Sequence, residues 1–377
     1  MVAPDKFAGS LSATEVARAI ERGWREVFPH DDVDRVPLSD GGPGFIDCLQ
    51  VSLPGKVHSR GVAGPLRTAV TARFFATGDT WYIEAAEASG LHLVVPGSRD
   101  PLRATTAGVG QLVAMAVAAG ARRVVVGLGG SATNDAGAGL LGELGALAWD
   151  DRGTPVDLAA GPIVFETVAA VALEPAVQAL AGVELVIASD VDNPLLGESG
   201  ATAMFGAQKG ADNAMREQLE QLVAHWVACC VSSGVPARIA REAGAGAAGG
   251  LGYGLLILGG TRVSGIQLVA EAVGLRDRCR GAGLVFTGEG RLDEQSLHGK
   301  VVTGVVTAAG EAPVVVITGQ SQLSEDQWRA SGIARVETLH ERAASTEESI
   351  ERGAFYVSQV TAEVAADVRR RSGRPAR

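Results

Sequence analysis

The sequence predicts a two-domain α/β protein, and three observations carry that reading. Apolar runs that suit buried strands alternate with amphipathic stretches of helical spacing near both ends of the chain, the pattern of a parallel sheet covered by helices. Between Val62 and Leu93 the texture changes to short apolar/polar alternations (Val70, Ala72, Phe74; Trp81, Ile83), which suit antiparallel strands. At 377 residues the chain exceeds what one ordinary core fills. The expected organisation is a discontinuous α/β domain made of 1–61 and 270–377, with a mixed α/β domain, 62–269, inserted in it. A cleft between two such domains is the usual place for a two-substrate site.

The elements follow in order. A short strand at Val2 and Ala3 stops at Pro4-Asp5-Lys6, and Ser10 or Ser12 caps a helix running through Val16, Ile20 and Trp24. A second strand, Val33 to Leu38, ends in Ser39-Asp40-Gly41-Gly42, and a helix follows through Phe45, Cys48 and Leu49. From Val124 to Gly139 the chain reads VVVGLGGSATNDAGAG, after which Leu140, Leu141, Leu144 and Leu147 recur at helical spacing. Late in the chain, Leu284 to Phe286 runs into Thr287-Gly288-Glu289-Gly290, and Val314 to Ile317 into Thr318-Gly319. Val336 to Leu339 carries Glu337 and Thr338 and reads as an edge strand. A helix from about Glu347 to Val368 closes the fold, and the basic tail from Arg369 is expected to fray.

A net charge of −10 argues against a nucleic-acid or anionic-membrane partner, which would call for a basic face, but leaves room for a local basic pocket and a small anionic substrate. Cys48, Cys229, Cys230 and Cys279 have no metal-ligand spacing and suit a reducing compartment. Asp5 and Lys6 interrupt the apolar start, and Arg122 and Arg123 cut the apolar stretch from Leu112, so neither a signal peptide nor a membrane span is expected. The expectation is a cytoplasmic protein whose oligomeric state, monomer or homodimer, the sequence leaves open.

Polar residues gather where strands end, which is where open parallel sheets bind ligands. They are Asp5-Lys6, Asp40, Ser131 to Asp135, Asp190 to Asn193, and Glu289 with Asp293. In the Gly127–Gly139 segment, glycines allow positive φ and close approach, so successive N–H groups can point at one anion, and a following helix N-terminus would add its dipole. Leu185 to Ala188 delivers Asp190, Asp192 and Asn193, oxygen ligands suited to Mg²⁺ or a base for an attacking hydroxyl; an Asx-turn before Pro194 is the plainer alternative. Lys209 stands before a helix starting near Asn213, and Lys300 repeats that arrangement; each can reach a phosphate or sit solvated in a loop. Neither belongs to a Walker motif, since Val301 follows Lys300. Gly244 to Gly254 (GAGAAGGLGYG) is too small-sided to pack a core and is expected to skirt a ligand or domain junction. His225 and His298 lack metal spacing, and no GxSxG elbow is present.

These motifs together resemble the bacterial glycerate kinase family, the type that forms 2-phosphoglycerate. The likeness runs nearly end to end through APDKFAGSLSA, SDGGPG, GLGGSATNDAGAG, ASDVDNPLLG, FGAQKGA, GAGAAGGLG and TGEGRLDEQSLHGK. It implies ATP- and Mg²⁺-dependent transfer of the γ-phosphoryl group to a hydroxyl of D-glycerate, on two domains of which one is flavodoxin-like. In that frame Gly129, Gly130, Ser131, Thr133 and Asn134, with Gly288 and Glu289, would hold ATP. Asp190, Lys209 and Lys300 would be catalytic, with Asp190 as base. Asp192 and Asp293 would meet the metal, although Asp190 and Asp192 could exchange roles. Asp5, Lys6, Asp40 and Asn193 would bind the substrate. The sequence departs from the family pattern at Ala8, at Pro43 to Phe45, at Ala136 (where a Gly is expected), at Ala207 and at Val302. The changed Asp40 loop motivates one rival, a glycerate sensor without turnover. A hydroxy-acid dehydrogenase is the other, opposed by the absence of GxGxxG after the first strand.

Overall fold

The structure, a computed structural model describing residues 1–297 and 301–372, builds its larger sheet from the middle of the sequence. That segment belongs to one of two units, made of 41–46 and 54–265. Strands β1 (Lys56–Ala63), β2 (Ala69–Thr77) and β3 (Thr80–Glu84) form an antiparallel meander, as their alternating pattern predicts. From β3 the sheet continues in parallel through β4 (Arg123–Gly127), β7 (Glu184–Ala188) and β8 (Thr261–Val263), in the order β1-β2-β3-β4-β7-β8. β4 and β7 are apolar and buried beyond their first residue, as strands covered on both faces must be. A separate antiparallel pair is formed by β5 (Leu147–Trp149) and β6 (Ala170–Ala172). The core joins Val109 and Leu112 of a helix, Ala107–Ala118, to Val124, Val126 and Ile187 of the sheet and Leu140 and Leu141 beyond β4.

The other unit comprises 1–40, 47–53 and the chain from Ile266 onward. Its strands β9 (Val285–Leu292), β10 (Val314–Ser321) and β11 (Arg335–Thr338) are parallel, in the order β11-β10-β9. Two short extended segments widen the sheet: Val2 bridges Phe286 on one side and Arg35 on the other, both in parallel. Main-chain hydrogen bonds continue these bridges, from Ala3 N to Phe286 O (2.8 Å), Asp5 N to Gly288 O (2.8 Å) and Leu38 N to Pro4 O (2.9 Å). Numbered along the chain, the five parallel segments lie in the order 2-1-3-4-5, the flavodoxin-like doubly wound arrangement, whose ligand crevice opens between the first and third. A helix, Ala13–Val27, is started by Ser12 rather than Ser10, through a capping box with Glu15. Its Val16 and Ile20 share a core with Val2, Phe286, Ile317, Val357 and Val360.

Several expectations change. The strand at Leu284 does not stop at Phe286; β9 runs on to Leu292, so Gly288 and Glu289 are sheet residues, not loop residues. The helix after the Gly-rich loop covers only Ala138–Glu143, and Leu147 opens β5. The closing helix is two helices, Thr346–Glu351 and Gly353–Ser372, and Arg369 to Arg371 continue the second instead of fraying. No described helix is long and apolar enough to cross a membrane.

Candidate functional site

In the larger unit, β4 and β7 are neighbours, with Gly127 opposite Ala188, and Leu128 N bonds Ala188 O at 2.9 Å. Their carboxyl ends therefore release the Gly129–Asp135 loop and the Asp190–Asn193 loop side by side. The first loop is held from behind by a second glycine-rich segment. Ala248, Gly249 and Gly250 follow one another at φ 51°, 70° and 87°, and Gly249 O accepts from Ala136 N at 3.1 Å. A Cβ on Gly249 would stand 1.8 Å from Thr133 O, so only glycine allows this approach. The GAGAAGGLGYG run does pack in the core, against the expectation from its small side chains: Ala247, Gly249, Gly250 and Leu251 are all buried. Ala136 itself sits at φ 50°, which explains why glycine is the expected residue there.

The helix N-terminus expected to receive an anion is already taken. Asp135, fully buried, accepts from Gly137 N (3.2 Å), Gly139 N (3.2 Å), Thr106 N (2.8 Å) and Thr106 Oγ1 (2.8 Å). Burial pushes its carboxyl above the usual range, against the pull of these hydrogen bonds. What remains for a ligand is the loop backbone. The N–H groups of Gly129, Gly130, Ser131, Thr133, Asn134 and Asp135 have no acceptor among the described residues. Ala132 N interrupts the set by donating to Ser89 O at 2.8 Å, and the N–H groups on either side of it make a candidate anion nest without a helix. Asn134 adds a buried side chain whose Nδ2 donates to Thr202 Oγ1 (3.0 Å) while Oδ1 has no partner among the described residues.

Lys209 is the second component. It is 2% exposed, and its ammonium gives one hydrogen bond among the described residues, to Thr133 O at 2.6 Å. An ammonium has three donors, so two are left beside the loop. Burial lowers its pKa to about 7, with Asp135 pulling weakly the other way. The lysine that a loop position suggested could be solvated is therefore enclosed.

Asp190 is half-buried and its Oδ1 accepts from Gly265 N at 3.1 Å. Asp192 is 77% exposed and ion-paired with Arg262. Asn193 Nδ2 donates to Ser199 O at 2.7 Å, pinning its own loop.

The family-divergent loop also belongs to this unit. Pro43 lies against Gly130, where a Cβ would meet Pro43 Cγ at 2.6 Å, and Phe45 is fully buried with its ring 6.0 Å from Tyr82. A carboxylate still serves this loop, from Glu84 at the end of β3. Its two oxygens each lie 3.1 Å from Gly44 N, and Oε2 accepts from Ile46 N at 3.3 Å. Sequence reasoning missed Glu84; the signal was a lone acid ending the apolar strand TWYIE.

In the smaller unit, the crevice between the first and third parallel segments is a pocket of about 470 Å³. Asp5, Lys6, Asp40, Glu289, Arg291 and Asp293 are among its walls. Lys6 Nζ bonds Asp40 Oδ1 at 3.2 Å and lies 3.8 Å from Asp5 Oδ1. Burial, then the nearby Asp40 and Glu289, raise the Asp5 pKa to about 7 against the opposing Lys6 charge. Lys6 is itself held above its ordinary value: burial works against the charge, but Asp40 and Asp5 outweigh it. Glu289 faces this pocket, whereas Gly288 is buried in the sheet with its carbonyl taken by Asp5 N. Asp293 serves the short helix Glu294–Leu297, accepting from Ser296 N at 3.3 Å. Lys300 lies outside the described residues.

Among the described residues no three acids, histidines or cysteines gather into a metal cage. Mg²⁺ does not require one, since it is commonly held by one or two carboxylates together with substrate phosphates. Asp192 and Asp293, the acids assigned to metal from the sequence, sit in different units and are engaged by Arg262 and Ser296. Strand register sets Ala188, two residues before Asp190, opposite Gly127, two residues before Gly129.

Comparison with known proteins agrees with this chemistry. The pattern of the glycerate kinase family matches residues 1–369. A glycerate kinase of Bacillus subtilis (strain 168) is 40% identical over 374 residues, covering 98% of this chain and 97% of the relative. A glycerate 2-kinase of Escherichia coli (strain K12) is 41% identical over 325 residues, 85% of this chain and 84% of the relative. A crystal structure described as that of a "putative glycerate kinase 2 from Salmonella typhimurium LT2" superposes with a TM-score of 0.81 at 37% identity, over 99% of this chain and 98% of that one.

Proposed function

The chain belongs to the glycerate kinase family, an ATP-dependent phosphotransferase family, and on that premise we propose that it phosphorylates the 2-hydroxyl of D-glycerate to give 2-phosphoglycerate. The observation that carries the phosphoryl-transfer reading is the nest of unengaged N–H groups at Gly129, Gly130, Ser131, Thr133 and Asn134, with buried Lys209 beside it. The match to a relative named glycerate 2-kinase supports the 2-position.

In this reading the loop N–H groups and Lys209 bind the ATP phosphates and stabilise the charge that develops on the transferring group. Asp190 takes the proton of the attacking hydroxyl. Asp5, Lys6 and Asp40 form the hydroxy-acid subsite. Mg²⁺, when bound with ATP, would supply further charge neutralisation on the phosphates, with exposed Asp192 the carboxylate that would share it on leaving Arg262. The loop is buried on its inner side, so its donors need little reorganisation before transfer.

The test is to incubate the protein with D-glycerate, ATP and Mg²⁺, follow ADP, and pass the product to enolase alone. ADP release with direct formation of phosphoenolpyruvate is the expected result. ADP release without it assigns the 3-phosphate and overturns the 2-position. No ADP release overturns the kinase reading.

A further inference from the structure

Four carboxylates, Asp5, Asp40, Glu289 and Asp293, line the pocket of the smaller unit. A hydroxy-acid anion entering it needs a cation that is not already spent. Lys6 is spent, through its bond to Asp40 and its proximity to Asp5. Arg291 is not. Among the described residues its guanidinium forms no hydrogen bond with a neighbour, and its one ion pair there is loose, Nε to Asp293 Oδ2 at 3.7 Å. Its side chain is 52% exposed on the pocket wall.

The backbone beneath it is fixed. Arg291 lies in β9 opposite Gln320 of β10. It is two residues from Glu289, so both side chains leave the same face of the strand, and both line the pocket. A planar guanidinium with both terminal nitrogens uncommitted matches a carboxylate in two parallel hydrogen bonds, which an ammonium cannot do.

We propose that Arg291 is the carboxylate receptor of the hydroxy-acid subsite and sets the preference for an anionic acceptor over an uncharged polyol. The inference rests on the reading that this pocket holds the hydroxy acid. Partial protonation of Asp5 near neutral pH supports it by reducing the negative charge that the substrate meets.

The test compares wild type with Arg291→Ala and Arg291→Lys, using D-glycerate and glycerol as acceptors and ATP as donor. For Arg291→Ala, KM for D-glycerate should rise about 10- to 100-fold with kcat changed only a few-fold, the scale of a lost charge-assisted pair. KM for ATP should stay level, and the ratio of kcat/KM for glycerate over glycerol should fall by a similar factor. Arg291→Lys should lie between, because it keeps the charge and loses the fork. An unchanged KM for glycerate, or a rise confined to KM for ATP, would overturn the proposal while leaving the kinase reading intact. If wild type does not turn over glycerate, the kinase reading fails, and calorimetric titration of D-glycerate into wild type and Arg291→Ala still decides the role of Arg291. Equal binding, or none to wild type, sinks it.

Discussion

At the carboxyl ends of β4 and β7 an anion meets backbone N–H groups and one buried ammonium; at the carboxyl ends of Val2 and β9 it meets side chains, four acids with Lys6 and Arg291. Both regions use the position that parallel sheets reserve for ligands. The first is pre-formed, because glycine packing at Gly249 and four hydrogen bonds to Asp135 fix the backbone before any ligand arrives. The second has four acids against two cations, and its charge shifts with pH through Asp5. A polyphosphate of fixed shape suits the first, and a small hydroxy acid that must lose a proton suits the second.

The sharpest way to break this contrast is Lys209→Met. It should lower kcat/KM for ATP on the order of a hundredfold or more, as loss of a charge-stabilising group does in phosphoryl transfer. Stability should move the opposite way. With its pKa lowered to about 7 from 10.5, the folded chain carries fewer protons here than the unfolded chain between those values. The cost of burying Lys209 is therefore full below about pH 7 and fades as pH rises towards 10.5. Denaturant melts at pH 6.5 and 9.5 should show the wild type gaining on Lys209→Met at the higher pH.

Next in size, Gly249→Ala forces a methyl to within 1.8 Å of Thr133 O at φ 70° and should cost about 2 kcal/mol or more in urea unfolding. A smaller loss would mean that the loop is softer than its packing implies. Smallest is Asp5→Asn. The Asp5 pKa is raised from 3.8 to about 7, so the folded chain holds the extra proton between those values, and stability falls as pH rises across that window. The variant should flatten the pH 4 to 7 slope of wild-type stability, read by thermal melts; an identical slope would remove Asp5 from the balance.

The sequence made one region more legible than the other. GLGGSATNDAGAG announces a backbone held in close approach, and the structure uses its glycines for positive φ at Gly130 and Gly137 and for tight packing at Gly127, Gly129 and Gly139. It could not show that Asp135 consumes the helix N-terminus, since Thr106 comes from an element 29 residues away. Nor could it separate a buried Lys209 from a solvated one, because that depends on the Gly249 segment folding over it. The acids at strand ends were visible one by one, but the raised Asp5 pKa and the uncommitted Arg291 are properties of the assembled pocket. Glu84 escaped notice for the same reason, its hydrogen bonds reaching 40 residues back to Gly44. Alternating apolar runs implied a parallel sheet, and only the family resemblance implied its flavodoxin-like form; the length of β9 was not legible, since Gly288 and Glu289 read as loop residues.

The most direct test of this division of labour is calorimetric binding of ADP and of D-glycerate to Lys209→Met and Lys6→Met. A crossed pattern is predicted: Lys209→Met weakens ADP and spares glycerate, and Lys6→Met, which leaves Asp5 and Asp40 without their cation and so repels the glycerate anion, weakens glycerate and spares ADP. If both variants weaken the same ligand, the two regions do not divide the substrates and the account is wrong.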